Sequence, residues 1–161
     1  RYSDLIGVST YPYVYDTVAN DGSKMPKNWF DRLRENTPGK TIAVSETGFL
    51  GGDFLHPKGT WIPGRGRVMV LGSEQSQAAY LQFLLQEAHR LDFEFINWWA
   101  WRDLDALWEQ IKTHKSFENP MWGMWNRTGL QDAQGRARSG QRIWEAWLTL
   151  PKNLKATKKQ G

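Results

Sequence analysis

Three short apolar stretches dominate the chain: Asp4 to Ser9 (Asp-Leu-Ile-Gly-Val-Ser), Thr41 to Ser45 (Thr-Ile-Ala-Val-Ser) and Phe93 to Trp99 (Phe-Glu-Phe-Ile-Asn-Trp-Trp). Runs of this length, bounded by Pro, Gly and Asp, read as buried strands. Helical patterns separate them. Trp29, Phe30 and Leu33 share a helix face that Pro38-Gly39 ends. Ser73 is placed as an N-cap, with Glu74 in the first turn and an apolar stripe through Ala78, Leu81, Leu84, Leu85, Ala88 and Leu91. Leu104, Leu107, Trp108 and Ile111 predict a short amphipathic helix, and Ile143, Trp144, Trp147 and Leu148 a last one. Strands separated by helices pair in parallel, because the chain must return to the same end of the sheet before each new strand.

The connections are unequal. Long loops rich in Gly, Trp and Pro follow the strands, including one from Gly48 to Gly72, whereas Pro38-Gly39-Lys40 and Asp92 suffice to enter them. That asymmetry is the layout of a (β/α) barrel with its site at the carboxyl ends of the strands. The expected fold class is therefore α/β, a partial TIM (β/α)8 barrel with near-continuous apolar strands covered on both faces. A doubly wound sheet is the alternative, but no Gly-x-Gly-x-x-Gly turn supports it. Residues 1–150 are expected to form the barrel portion and residues 151–161 a basic, flexible tail.

Composition removes several functions. The chain has 161 residues and no Cys, so thiolate metal sites and a disulfide framework are excluded. His56, His89 and His114 share no ligand spacing, and no metal or other cofactor is expected. A net charge of +4, much of it in Lys152, Lys155, Lys158 and Lys159, gives no basic stripe for nucleic acid. No apolar run approaches the roughly 18 residues of a membrane helix, and the tail lacks an apolar face for a membrane surface. Arg1 reads as a cut or processed end. Ten Trp and five Tyr are the outstanding feature, and such rings suit a core, an interface or a sugar-stacking cleft.

Candidate chemistry gathers at the strand ends. Glu46 ends the second strand, where it serves either as a reactive carboxylate or as a rim salt bridge, since burial demands a partner. Tyr11, ending the first strand, either hydrogen-bonds and orients that carboxylate or fills the core. Asn97, Trp99 and Trp101 share one side of the third strand at a period of two, with Trp98 opposed. Their indoles suit a sugar face or core filling equally.

The segments Val8-Ser9-Thr10-Tyr11-Pro12-Tyr13, Val44-Ser45-Glu46-Thr47-Gly48 and Ile96-Asn97-Trp98-Trp99 resemble the last three strands of retaining glycoside hydrolases of clan A. Local similarity is nearest to endo-β-1,4-galactanases, and β-1,3-glucanases and cellulase-like members share parts of it. Gly129-Leu130, Asp132 and Gly135 are similar to the clan's lead-in to its eighth helix. The resemblance spans Asp4 to about Leu148. It implies that Glu46 is the nucleophile, that Tyr11 lies beside it, and that Trp99 is the platform under the reacting sugar. Tyr13, Asn97, Trp101, Trp61, Trp122 and Trp125 are expected to line substrate subsites.

Retaining hydrolysis needs a second carboxyl about 5–5.5 Å from the first. In the clan it comes from an Asn-Glu dipeptide after strand four. This chain has no Asn-Glu, and Glu35-Asn36 is in reverse order inside a helix. A whole barrel takes roughly 250 residues, so strands six to eight without one to five are expected. Asp53, Asp103 and Asp105 are not expected to replace the missing acid. The expected function is a portion of a retaining β-glycoside hydrolase acting on a β-linked polysaccharide, inactive alone. Its partners would be that carbohydrate and either the missing barrel half or a second copy. A non-catalytic carbohydrate-binding or self-associating partial barrel is the alternative, and the resemblance favours a secreted or periplasmic location.

Overall fold

The computed structural model describes residues 3–14, 21–52, 60–62, 66–68, 72–114 and 120–150. Strand β1 (Leu5–Thr10), helix α1 (Asp31–Asn36) and strand β2 (Thr41–Thr47) come first. A hairpin of β3 (Thr60–Ile62) and β4 (Gly66–Val68) precedes α2 (Glu74–Leu91) and β5 (Phe93–Trp98). Helix α3 (Asp105–Ile111), a 3-10 segment (Pro120–Arg127) and α4 (Ser139–Leu148) complete the order. The molecule is a small α/β structure whose three-stranded sheet runs β1-β2-β5, with both pairings parallel. The antiparallel β3–β4 pair corrects the expectation of a plain loop from Gly48 to Gly72.

Helix α2 starts where the sequence places it. The Ser73 hydroxyl accepts from the Ser76 amide at 3.1 Å, satisfying a donor that has no partner within the helix. Asp92 ends the helix in the left-handed region, φ 55°, and its amide returns to the Ala88 carbonyl. The buried face of α2 (Ala78, Tyr80, Leu81, Leu84, Leu85) packs with Val44, Phe49, Phe30 and Leu130 into the core. Gln77, also fully buried, directs its amide to the carbonyls of Phe49, Thr128 and Gly129 at 2.9, 3.2 and 3.0 Å. This ties α2 to the loop after β2 and to the segment entering α4.

The expected cover on both faces is not found among the described residues. Helix α2 packs on β5 and α4 packs on α2, so the core lies on one side of the sheet. On the other side Gly7, Ser9, Ser45, Phe95 and Asn97 are exposed. Only β2, buried at Ile42, Ala43 and Val44, has the near-continuous burial expected of all three strands. The outer edges of β1 and β5 have no strand partner among the described residues.

Strict alternation also fails at two points, for one reason. Val8 pairs with Val44 and Ser9 with Glu46, while Val44 pairs with Ile96 and Thr47 with Trp98. Against both neighbours, β2 thus carries one extra residue between Val44 and Thr47. Likewise β5 carries one between Phe93 and Ile96, so Phe93, Ile96 and Trp98 all reach the core while Phe95 faces out. An inserted residue moves every later side chain to the opposite face.

Candidate functional site

The β2 bulge decides where Glu46 points. A regular strand would put Glu46 with Ile42 and Val44 on the helix-facing side, where a carboxylate is costly to bury. With the extra residue, Thr47 takes that side instead. Its hydroxyl is hydrogen-bonded to the buried Tyr80 hydroxyl at 2.7 Å and donates to the Thr10 carbonyl at 2.7 Å. Glu46 is released to the open side, where it lines a cavity of about 410 Å³. Bulges that re-aim a side chain in this way are frequent beside active sites.

Tyr11 lies just past the end of β1, next to the paired Thr10 and Thr47, and donates its hydroxyl to Glu46 Oε1 at 2.6 Å. Its phenol is pushed well above the usual tyrosine range, first by burial and then by the hydrogen bond to Glu46 and that group's charge. The phenol therefore stays protonated and remains a donor across the physiological range. One carboxylate oxygen is held by this bond.

Trp99 reaches the same cavity from the end of β5. Its amide donates to the Thr47 carbonyl at 2.6 Å, and its own carbonyl passes close to Gly48. A Cβ at residue 48 would stand 2.5 Å from that oxygen, so glycine is the residue that lets the two loops touch. The peptide between Trp99 and Ala100 is cis. Trp125 crosses Tyr11 edge to face, with centroids 4.4 Å apart, and also lines the cavity. Glu46, Tyr11, Trp99 and Trp125 are thus brought together by four separate segments.

The other candidates are placed differently. Tyr13 has no exposed surface and meets Phe49 edge-on at 5.7 Å, so it packs the core and corrects the expectation of a substrate contact. The reason is the 3-10 turn Pro12–Val14, which carries the chain from the open side back beneath α2. Asn97 is exposed and donates to the Ser45 carbonyl at 3.2 Å. Trp101 is 50% exposed and is not among the described residues lining the cavity. Trp61 lies in β3 opposite Arg67, and Trp122 in the 3-10 segment; their side chains lie outside what is described, as do Asp53 and residues 151–161.

Among the described residues Glu46 is the one carboxylate on the cavity wall. Asp103 is engaged elsewhere. Its two oxygens accept from the Arg138 guanidinium at 2.9 and 2.6 Å, and the Gly129 amide donates to Oδ1 at 2.9 Å. Asp105 accepts from Asn126 Nδ2 at 2.5 Å and faces Arg127 at 3.6 Å. No group of three or more His, Cys, Asp or Glu side chains that could hold a metal occurs among the described residues.

The cavity wall also contains Leu104, Leu107, Trp108, Ile111 and Asn126, none of which the strand-end reasoning selected. The spacing 104, 107, 108 and 111 marks one helix face, but the pattern alone reads as an ordinary core-facing stripe.

Burial of Tyr11, and of Tyr13 and Tyr80 still more completely, raises all three phenols. On unfolding they regain the ordinary value near 10. Above about pH 10 the unfolded chain therefore loses protons that the folded chain keeps, and stability falls as pH rises. Urea midpoints are expected to hold below that pH and to drop above it, more shallowly in Tyr11→Phe. A midpoint independent of pH from 8 to 11 would contradict the burial of these phenols.

No family model matches the chain, and no curated protein matches it. Solved glycoside hydrolases resemble it in fold. A β-glucuronidase of Bifidobacterium dentium, complexed with coumarin-3-O-glucuronide, is 18% identical, with a TM-score of 0.57 over 93% of this chain and 22% of its own. The Faecalibacterium prausnitzii β-glucuronidase is 21% identical, with a TM-score of 0.56 over 92% and 22%. A β-1,3-glucanosyltransferase of Rhizomucor miehei, complexed with laminaritriose, is 14% identical, with a TM-score of 0.53 over 85% and 42%. Another structure of an enzyme of that name from the same organism is assigned to glycoside hydrolase family 17. This chain therefore spans between about a fifth and two fifths of the length of the proteins it resembles.

Proposed function

We propose that the chain is the nucleophile-bearing portion, strands six to eight, of a retaining β-glycoside hydrolase barrel. The observation that carries the reading is the Tyr11–Glu46 hydrogen bond at the carboxyl end of a parallel sheet, in a cavity walled by indoles. The likeness in fold to glycoside hydrolases supports it. So do the open face of the sheet and its outer edges, unpaired among the described residues, which a barrel would turn inward and pair.

In this reading the free Glu46 oxygen attacks the anomeric carbon as the bond to the leaving oxygen breaks, giving a glycosyl ester. The leaving oxygen takes a proton from a general acid supplied by the remainder of the barrel. That group then removes a proton from water, which attacks the anomeric carbon and releases the sugar and Glu46. Tyr11, held protonated by burial, fixes the rotamer of Glu46 and stabilises its charge between turnovers. Trp99 offers an apolar face to the C–H face of the sugar.

The test exploits the division of labour between the two carboxyls. A 2-deoxy-2-fluoro-β-glycosyl donor with a dinitrophenolate leaving group needs no protonation to depart, so the nucleophile suffices for the first step. Peptide mass spectrometry of the protein carrying this chain is expected to find the sugar ester on Glu46. Labelling on a different carboxylate, with Glu46 unmodified, would overturn the assignment.

A further inference from the structure

The cavity at Glu46 has one wall that sugar chemistry does not explain. Leu104 at the start of α3, and Leu107, Trp108 and Ile111 on it, turn one continuous apolar face to the carboxylate's cavity. Among the described residues the polar side chains on this wall, the indoles apart, are Glu46 and Asn126, and Asn126 Oδ1 is buried without a hydrogen-bond partner. Glu46 already accepts from Tyr11, and the amide nitrogen of Asn126 is held by Asp105. A second sugar ring seated against α3 would bury several hydroxyls against a wall that offers them few partners, and an unpaired buried hydroxyl is costly. An apolar group of similar size loses nothing there and gains from leaving water.

We propose that α3 forms the wall of an aglycone pocket, and that the site takes β-glycosides whose leaving group is an apolar alcohol, aromatic or alkyl, in preference to a further sugar. This rests on the reading of Glu46 as the residue that meets the anomeric carbon, since that places the leaving group in the rest of the cavity. It replaces the polysaccharide expectation with a non-sugar leaving group. The size fits as well, because about 410 Å³ accommodates a ring system or a short alkyl chain beside the reacting centre.

Calorimetric titration of the Glu46→Gln form of the protein that carries this chain, which is expected to keep sugar binding without turnover, with methyl, butyl, hexyl and phenyl β-glucosides, galactosides and glucuronides tests the proposal, with cellobiose and lactose as two-sugar competitors. Affinity is expected to rise about threefold to fourfold per methylene in the series that binds, and hexyl and phenyl glycosides to bind at least tenfold more tightly than the disaccharide. Leu107→Asp, at a residue 47% exposed and so outside the core, is expected to flatten the dependence on chain length. Leu148→Asp, on α4 and 65% exposed, is expected to leave it intact, which separates the pocket from general surface stickiness. Disaccharides binding as well as the alkyl glycosides, no glycoside binding at all, or an unchanged slope in Leu107→Asp would each overturn the proposal. Failure of the Glu46 reading looks different, because the fluoroglycoside would then label another residue, whereas failure of the aglycone proposal alone leaves the label on Glu46 and removes the dependence on chain length.

Discussion

On the proposed reading of Glu46 as nucleophile, replacing it by Gln in the protein that carries this chain is expected to lower turnover of a β-glycoside by about a thousandfold or more while leaving ground-state sugar binding within a few-fold of the parent. The amide is nearly isosteric with the carboxylate, and its oxygen still accepts from the Tyr11 hydroxyl now 2.6 Å away. The cavity lined by Trp99 and Trp125 is therefore retained. What is lost is the anion that, on that reading, forms the glycosyl ester. The rate loss should appear in kcat with little change in the affinity for an unreactive substrate analogue. In the shorter Glu46→Ala variant, azide is expected to restore part of the turnover with release of the opposite anomer of the glycosyl azide, because truncation opens a space for a small anion where the carboxylate stood. Turnover within tenfold of the parent would reduce Glu46 to a structural residue.

Breaking the Asp103–Arg138 pair is expected to be the most destabilising conservative change in the described part of the chain. Both side chains are almost wholly buried, and the guanidinium meets the carboxylate through two parallel hydrogen bonds at 2.9 and 2.6 Å. Arg138 also donates to the Gly129 carbonyl at 2.7 Å, and Asp103 accepts from the Gly129 amide. Removal of either partner strands the other charge in the interior, which costs about 3–5 kcal/mol. Against a total stability of roughly 5–15 kcal/mol for a domain, either single change should lower the urea midpoint sharply or prevent folding. The Asp103→Leu, Arg138→Met double variant is expected to recover much of the loss, because two apolar side chains leave no charge unpaired. Recovery in the double variant, measured as a coupling energy, is the decisive readout. Additive losses would place each side chain in a separate role.

The ion pair also bears on function through geometry. It clamps the residues after β5 to the segment entering α4, where the Leu130 amide donates to the Ala100 carbonyl and the Gln131 amide to the Trp101 carbonyl. Trp99 stands directly before that clamp, and the Trp98 indole donates to the Thr128 carbonyl at 3.0 Å within it. The backbone that carries Trp99, the residue proposed as the sugar platform, is thereby held on both sides, and rigid support of this kind keeps a binding group within its productive geometry.

Three parallel strands with helices between them, the N-cap at Ser73 and the stop after Pro38-Gly39 were all legible in the sequence, because apolar period and capping chemistry are local. So was the position of Glu46 at a strand end. Its direction was not. A period of two carries Glu46 into the helix layer, and only the extra residue against both Val8–Ser9 and Ile96–Trp98 turns it outward. A bulge has no local signature here, since it arises from the competing registers of neighbouring strands. Tyr13 was misplaced for the same kind of reason. Tyr11 and Tyr13 look equivalent at a spacing of two, but the 3-10 turn at Pro12 sends one ring to Glu46 and the other under α2.

The sequence by itself determined which segments become strands and helices, and that one carboxylate and several indoles end those strands. The tertiary structure alone decided which of them share a cavity, because burial and hydrogen bonding between distant segments choose the register. It also decided that α3 turns its apolar face to the cavity that Glu46 lines, a juxtaposition of residues some sixty positions apart that no local pattern encodes.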